Sequence, residues 1–140
     1  DFLWKNLDYI DIFESDHAPH THEEKEAGAF GVPGLETTLP LLLMAEKEGK
    51  ITREQIIEKC YTNPAKIFSI ETSDETYIEV KMEEYTVENE KLHTKCGWSP
   101  FAGRKVLGKV NKVVIRGATV LENGEIIAQP GSGTVLKVDE

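Results

Sequence analysis

Cysteine is scarce and scattered. Cys60 and Cys96 are the two in 140 residues, and they form no C-x-x-C pair. That excludes a disulfide scaffold and a cysteine-built zinc module, and it fits reduced thiols in a cytoplasmic protein. Long apolar runs are missing. The longest covers 39–45, contains Pro40 and is far too short to span a bilayer, and no signal peptide is visible. Positive charge is in short supply: 16 Lys and Arg stand against 25 Asp and Glu, a net charge of −9 with no basic block. Nucleic acid and anionic membranes are therefore not expected partners. Neither G-x-x-x-x-G-K-[ST] nor G-x-G-x-x-G occurs, so no phosphate loop is expected. Ser15 and Ser99 lack the surroundings of a nucleophile elbow. At 39% hydrophobic and 29% charged residues, the chain reads as soluble and surface-rich, in need of a neighbour to cover its apolar faces. It opens on Asp1 rather than Met, as expected of a start partway through a longer polypeptide.

What is present is organised around I-D-I-F-E-S-D-H-A-P-H-T at 10–21. Ile10, Ile12 and Phe13 predict a short buried strand over 10–15, ending at Asp16, with His17 and His20 close behind and Pro19 stopping its extension. α/β enzymes place chemistry where parallel strands end. A carboxylate there, with imidazoles one and four residues on, is a candidate for metal binding or proton transfer.

Upstream, 1–9 predicts a short helical or loop approach. Downstream, 21–34 predicts a polar, glycine-rich loop, long enough to be a lid or binding loop. A helix is predicted over 35–48, with Pro40 near its first turn and Gly49 as its stop. Thr52-x-x-Gln55 is a capping box opening a second helix through Cys60, with Ile56, Ile57 and Cys60 as its apolar stripe. Thr62-Asn63-Pro64 predicts a third, capped by Thr62, with Ala65, Ile67 and Phe68 turned inward. Beyond residue 71 the pattern changes to period two. Strands are predicted at 77–82, 113–115 and 135–138, with a hairpin at 119–127 turning through Asn123-Gly124. The chain thus divides into a β/α part, 1–70, and a β part, 71–140. One strand followed by three helices closes no α/β core by itself, so strand 10–15 belongs to a sheet whose other members lie elsewhere.

Asp16 is the sharpest site candidate, as an oxygen ligand for zinc and a proton carrier; the alternative is an ordinary turn-capping Asp. His17 reads as a packed or hydrogen-bonded side chain. His20, past Pro19, can reach back over the strand end to bind a substrate carboxylate. His20-Thr21-His22 also spells H-x-H, but a metal pair needs a rigid strand and this is a polar loop. In Phe30-Gly31-Val32-Pro33-Gly34 the glycines allow close approach of backbone to a ligand, or serve turn geometry alone. Cys60 reads as core rather than nucleophile, and His93 has no companion.

These residues resemble a known family. Ser15-Asp16-His17-Ala18-Pro19-His20-Thr21, Glu23-Glu24-Lys25, Phe30-Gly31-Val32-Pro33-Gly34-Leu35-Glu36-Thr37 and Leu39-Pro40-Leu41-Leu42 closely resemble the C-terminal part of dihydroorotase, of the class found in the animal multifunctional pyrimidine protein. Asn63-Pro64-Ala65-Lys66-Ile67-Phe68, the run from Lys95-Cys96-Gly97-Trp98 to Arg104, and Gly108-Lys109-Val110 continue the match over nearly the whole chain.

The resemblance implies an amidohydrolase of α/β class, with 10–16 as the last strand of a TIM (β/α)8 barrel, helices behind it and a small flanking β-sandwich. It implies zinc, one or two ions, with Asp16 as a metal-binding catalytic carboxylate that moves a proton from the nucleophile to the departing ring nitrogen. It places His20 on the substrate's carboxylate, and Phe30 and Gly31 where the loop backbone meets the substrate. The implied reaction interconverts (S)-dihydroorotate and N-carbamoyl-L-aspartate in pyrimidine biosynthesis. Hydantoinases and allantoinases share S-D-H but usually lack a histidine at the place of His20, which favours dihydroorotase over those related cyclic amidases. The family's H-x-H, carboxylated lysine, other two histidine ligands, and substrate-binding arginine and asparagine are absent. This chain alone is therefore expected to be inactive and to need the N-terminal barrel portion as partner. A homo-oligomer or an aspartate carbamoyltransferase is a further expected partner, and the alternative readings are a non-catalytic scaffold for the latter or a related cyclic amidase.

Overall fold

The computed structural model describes residues 2–135. Residue 135 forms no strand there, and the rest of the strand expected at 135–138 lies outside the described residues. The order is helix α1 (Phe2–Lys5), a 3-10 turn (Leu7–Tyr9), α2 (His22–Glu26), α3 (Thr38–Lys47) and α4 (Arg53–Ile57), a π turn (Glu58–Thr62), α5 (Asn63–Ile67), then strands β1 (Tyr77–Thr86), β2 (Lys105–Ile115), β3 (Ala118–Glu122) and β4 (Glu125–Ile126).

The β part is one antiparallel sheet, ordered β1-β2-β3-β4. Its turns are chemically determined. Asn123 and Gly124 have φ of 52° and 85°, and Arg116 and Gly117, between β2 and β3, have 50° and 77°. Both are two-residue loops with the positive φ pair of a type I′ turn. β1 and β2 pair from Tyr77↔Val114 to Thr86↔Lys105, with bulges near Val80 and between Lys81 and Glu84.

Helix α3 lies on this sheet. Leu43 packs over Gly108 of β2, so closely that a β-carbon there would collide with it. Leu7, Leu43, Ala45, Ile51 and Ile56 form the buried cluster, flanked by Trp4, Phe13, Val80 and Leu107. At the rim, Glu84 pairs with Lys47 and Lys105, and the two ammonium groups hold its carboxyl below the usual range. The α3 start at Thr38 puts Pro40 in the first turn, where its missing N–H costs nothing. Gly49 ends the helix at φ 71°. The Thr52–Gln55 capping box is fully formed at the head of α4.

Several expectations are corrected. Residues 10–15 pair with no strand among the described residues, and are half-buried or exposed rather than buried. Their backbone is satisfied from the helical side instead: the Phe13 N–H donates to Lys59 O at 2.9 Å, Lys59 Nζ donates to Ile10 O at 2.7 Å, and Asn63 Nδ2 donates to Asp11 O at 2.8 Å. The loop expected over 21–34 contains α2, capped by Thr21 and Glu24. Thr62 caps nothing, because α4 runs through the π turn into α5. Of the expected inward stripe, Ile56 is buried, but Ile57, Cys60, Ile67 and Phe68 are exposed, and Lys59 is buried in their stead. The buried Lys59 follows from its hydrogen bond to Ile10, which holds the helix by its amine rather than by its apolar face. Partial desolvation still pushes the Cys60 thiol up, disfavouring the thiolate. Between α1, residues 10–15 and α3 lies an apolar cavity of about 450 Å³, lined by Trp4, Leu7, Ile10, Phe13, Leu41 and Leu42 among others.

Candidate active site

The site forms where the unpaired segment 10–15 ends. Asp16 is exposed and adopts φ 44°. This left-handed conformation is one that Asp and Asn tolerate better than other side-chain-bearing residues. The Asp16 N–H donates to Glu14 Oε2 at 2.7 Å. The Asp16 side chain itself lies outside the core, free to meet a ligand.

Immediately after it, residues 15–18 lie against 31–34. His17 and Val32 form a parallel bridge, and the Ala18 N–H donates to Val32 O at 3.1 Å. Gly31 has φ 109°, and a β-carbon on it would sit 2.5 Å from Ala18 Cβ and 2.7 Å from Ala18 O. A β-carbon on Gly34 would sit 2.8 Å from Ser15 O. Both glycines are thus required by close approach of two backbones. His17 Nδ1 accepts from the Gly34 and Leu35 N–H groups, each at 3.2 Å. That is the hydrogen-bonded structural role expected of it. The loop is fastened further by Lys25 Nζ, which donates to Gly31 O at 2.9 Å. The Gly31 N–H makes no hydrogen bond among the described residues. Phe30 is 90% exposed.

His20 is half-buried, and its Nδ1 lies 3.3 Å from Glu24 Oε2. The same oxygen accepts from the Thr21 N–H at 2.8 Å, and that bond, with help from His20, holds the Glu24 carboxyl below the usual range. Nε2 of His20 makes no hydrogen bond among the described residues. His22 is not paired with His20 for metal; its ring stacks on Trp98 at 5.3 Å. No group of three or more His, Cys, Asp or Glu side chains is placed to hold a metal among the described residues. A catalytic zinc takes about three protein ligands. The exposed Asp16 fits as one of them and no more.

The large apolar cavity lies beside this site: its lining reaches Glu14, Ser15, Val32 and Gly34 but not Asp16, His17 or His20. Sequence reasoning missed Glu24 and Trp98 as contacts of the histidine loop. The first was legible as Thr21-x-x-Glu24, a capping box; the second had no local signal, being 78 residues from its acceptor.

No protein-family model matches the chain. It is 50% identical over 141 residues to the multifunctional protein pyr1-3 of Dictyostelium discoideum, covering 99% of this chain and 6% of that one. It is 48% identical over 143 residues to the dihydroorotase of Pyrococcus furiosus, covering 96% of this chain and 34% of that protein. Among solved structures, a D-hydantoinase superposes with a TM-score of 0.87 at 26% identity, over 96% of this chain and 34% of that one. The inactive dihydroorotase-like domain of a Chaetomium thermophilum CAD-like multifunctional protein superposes with 0.70 at 26% identity, over 91% of this chain and 36% of that one. The chain is therefore dihydroorotase-like over nearly its whole length, has the α/β fold of part of an amidohydrolase barrel, and spans about a third of the archaeal dihydroorotase it matches.

Proposed function

We propose that this chain is the C-terminal part of a zinc-dependent dihydroorotase, in which 1–70 finish the barrel and 71–140 form the flanking β unit. The observation that carries this is the exposed Asp16 at the end of a segment without sheet partners among the described residues, held against a loop built by Gly31 and Gly34. The partners of 10–15 are the barrel strands of the N-terminal portion, which also cover the apolar cavity beside it.

In the assembled enzyme, Asp16 accepts the proton of the attacking water and delivers it to the ring nitrogen as the amide bond breaks. It would also be one ligand of zinc, with the other ligands coming from the N-terminal portion. Zinc, when bound, supplies Lewis acidity. His20 Nε2 binds the substrate's carboxylate, with the ring held through Nδ1 beside the Glu24 carboxylate. The Gly31 N–H, without a hydrogen bond among the described residues, meets a substrate oxygen beside Phe30.

Dihydroorotate carries a carboxylate that simple hydantoins lack, so His20 contributes to the choice between them. Replacing His20 by Ala in the assembled enzyme raises KM for dihydroorotate roughly 10- to 100-fold, the worth of one charge-assisted hydrogen bond, with a smaller effect on kcat. KM for a hydantoin lacking a carboxylate stays within about twofold of wild type. Equal losses on both substrates would refute the assignment of His20, and a wild type preferring hydantoin would refute dihydroorotase.

A second reading is a non-catalytic scaffold for an aspartate carbamoyltransferase. The likeness to the inactive Chaetomium domain favours it; the retained Asp16 and His20 oppose it. No helix among the described residues is long and apolar enough to cross a membrane. A cytoplasmic location and assembly into homo-oligomers complete the proposal.

A further inference from the structure

His20 has to hold its position on a weak support. The helix that follows it, α2, has five residues, and a helix that short does not persist on its own. Pro19 precedes it, and the loop 27–30 beyond is exposed apart from a half-buried Ala29. Something outside the segment must fix it.

Trp98, from the β part, does so at two points. Its Nε1–H donates to the main-chain oxygen of His20 at 2.7 Å. Its ring stacks on His22 with centroids 5.3 Å apart and planes 28° apart. One side chain therefore grips the residues on both sides of Thr21, the cap of α2. The stretch carrying Trp98 is held on both sides. The Glu36 carboxylate accepts from the His93 and Thr94 N–H groups, both at 2.9 Å. The Ser99 N–H donates to Asn89 Oδ1 at 2.9 Å, and Ser99 is buried. Glu36 follows the Gly34 turn that lies on Ser15. A continuous path of contacts runs from the Asp16 end of the segment, through 34–36 and 93–98, back to His20.

We propose that Trp98 is a positioning residue for substrate binding: it fixes the main chain of His20, and through it the imidazole that receives the substrate's carboxylate. This rests on the reading of His20 given above. Trp98 acts on His20 through its main chain, so its loss spreads the positions of His20 and weakens binding while Asp16 chemistry proceeds.

The test uses the chain assembled with the N-terminal barrel portion, as wild type, Trp98→Leu and Trp98→Phe. Trp98→Leu removes both grips and raises KM for dihydroorotate about tenfold, with kcat within about twofold. Trp98→Phe keeps a ring for His22 but has no N–H, and recovers part of that loss. Independently of activity, tryptic cleavage after Lys25 in α2 speeds up in Trp98→Leu, because the helix is released. Faster cleavage with raised KM supports the proposal. Unchanged cleavage, or faster cleavage with unchanged KM, overturns it, as does a fall in kcat alone. A wild-type enzyme inactive on dihydroorotate would instead refute the functional reading, and the cleavage rates would then decide whether Trp98 holds the loop.

Discussion

Replacing Asp16 by Asn lowers turnover of the assembled enzyme at least about a thousandfold, the scale of a lost general acid–base, with dihydroorotate KM changed far less. Asn is the right substitution for a structural reason. Asp16 sits at φ 44°, where Asn is nearly as well tolerated as Asp and Ala is not. Its side chain is exposed, so exchange of one oxygen for an amide disturbs no packing. The N–H bond to Glu14 is a main-chain contact and survives. What disappears is the ability to accept a proton and to offer a full negative charge to a metal. Steady-state kinetics with circular dichroism as a folding check would read this. Retention of more than about a tenth of wild-type turnover would remove Asp16 from the chemistry.

The second large effect concerns Gly31. Gly31→Ala adds a methyl group 2.5 Å from Ala18 Cβ and 2.7 Å from the Ala18 oxygen, at a φ of 109° that side-chain-bearing residues rarely adopt. The neighbours are backbone and a β-carbon, so neither can rotate away. Loop 31–34 must then lift from 15–18, breaking the Ala18 N–H to Val32 O bond and the His17 contacts. The expected cost is about 2–4 kcal/mol, combining steric clash and backbone strain. The expected loss in kcat/KM is about a hundredfold or more, since misplacing a substrate-contacting loop by about an ångström costs that much. Gly28 is the internal control. It has φ 99° but nothing within 4 Å of its would-be β-carbon, so Gly28→Ala pays strain alone, about 1–2 kcal/mol. Similar losses from both variants in denaturation and kinetics would show that the Gly31–Ala18 approach does not matter.

Local chemistry was readable, and tertiary context was not. The Thr52–Gln55 box, the Gly49 stop and the Asn123-Gly124 hairpin each depend on neighbours a few residues apart, and each formed as expected. Arg116-Gly117 is the same kind of turn but went unread, because Arg does not advertise positive φ as Asn does. Apolar residues were expected inward, yet Ile57, Ile67 and Phe68 are exposed. Apolar character alone does not decide burial; tertiary packing does. The same holds for 10–15: its composition is that of a strand, but a strand exists through its partners. Near Asp16, the hydrogen-bonded role of His17 followed from residue type and spacing, whereas the loop glycines, read as facing a ligand or serving a turn, instead let two backbones meet at Ala18 and Ser15. Trp98 and Glu36 could not, since their hydrogen bonds bridge 78 and 58 residues.

The central claim is that Asp16 completes an active site begun by another portion of protein. Its most direct measurement is dihydroorotate turnover and zinc content of the chain alone and after assembly with the N-terminal barrel portion. The account predicts no turnover and no stoichiometric zinc for the chain alone, and both for the assembly. Turnover by the isolated chain, or an assembly that folds yet holds no zinc and turns over nothing, would contradict it.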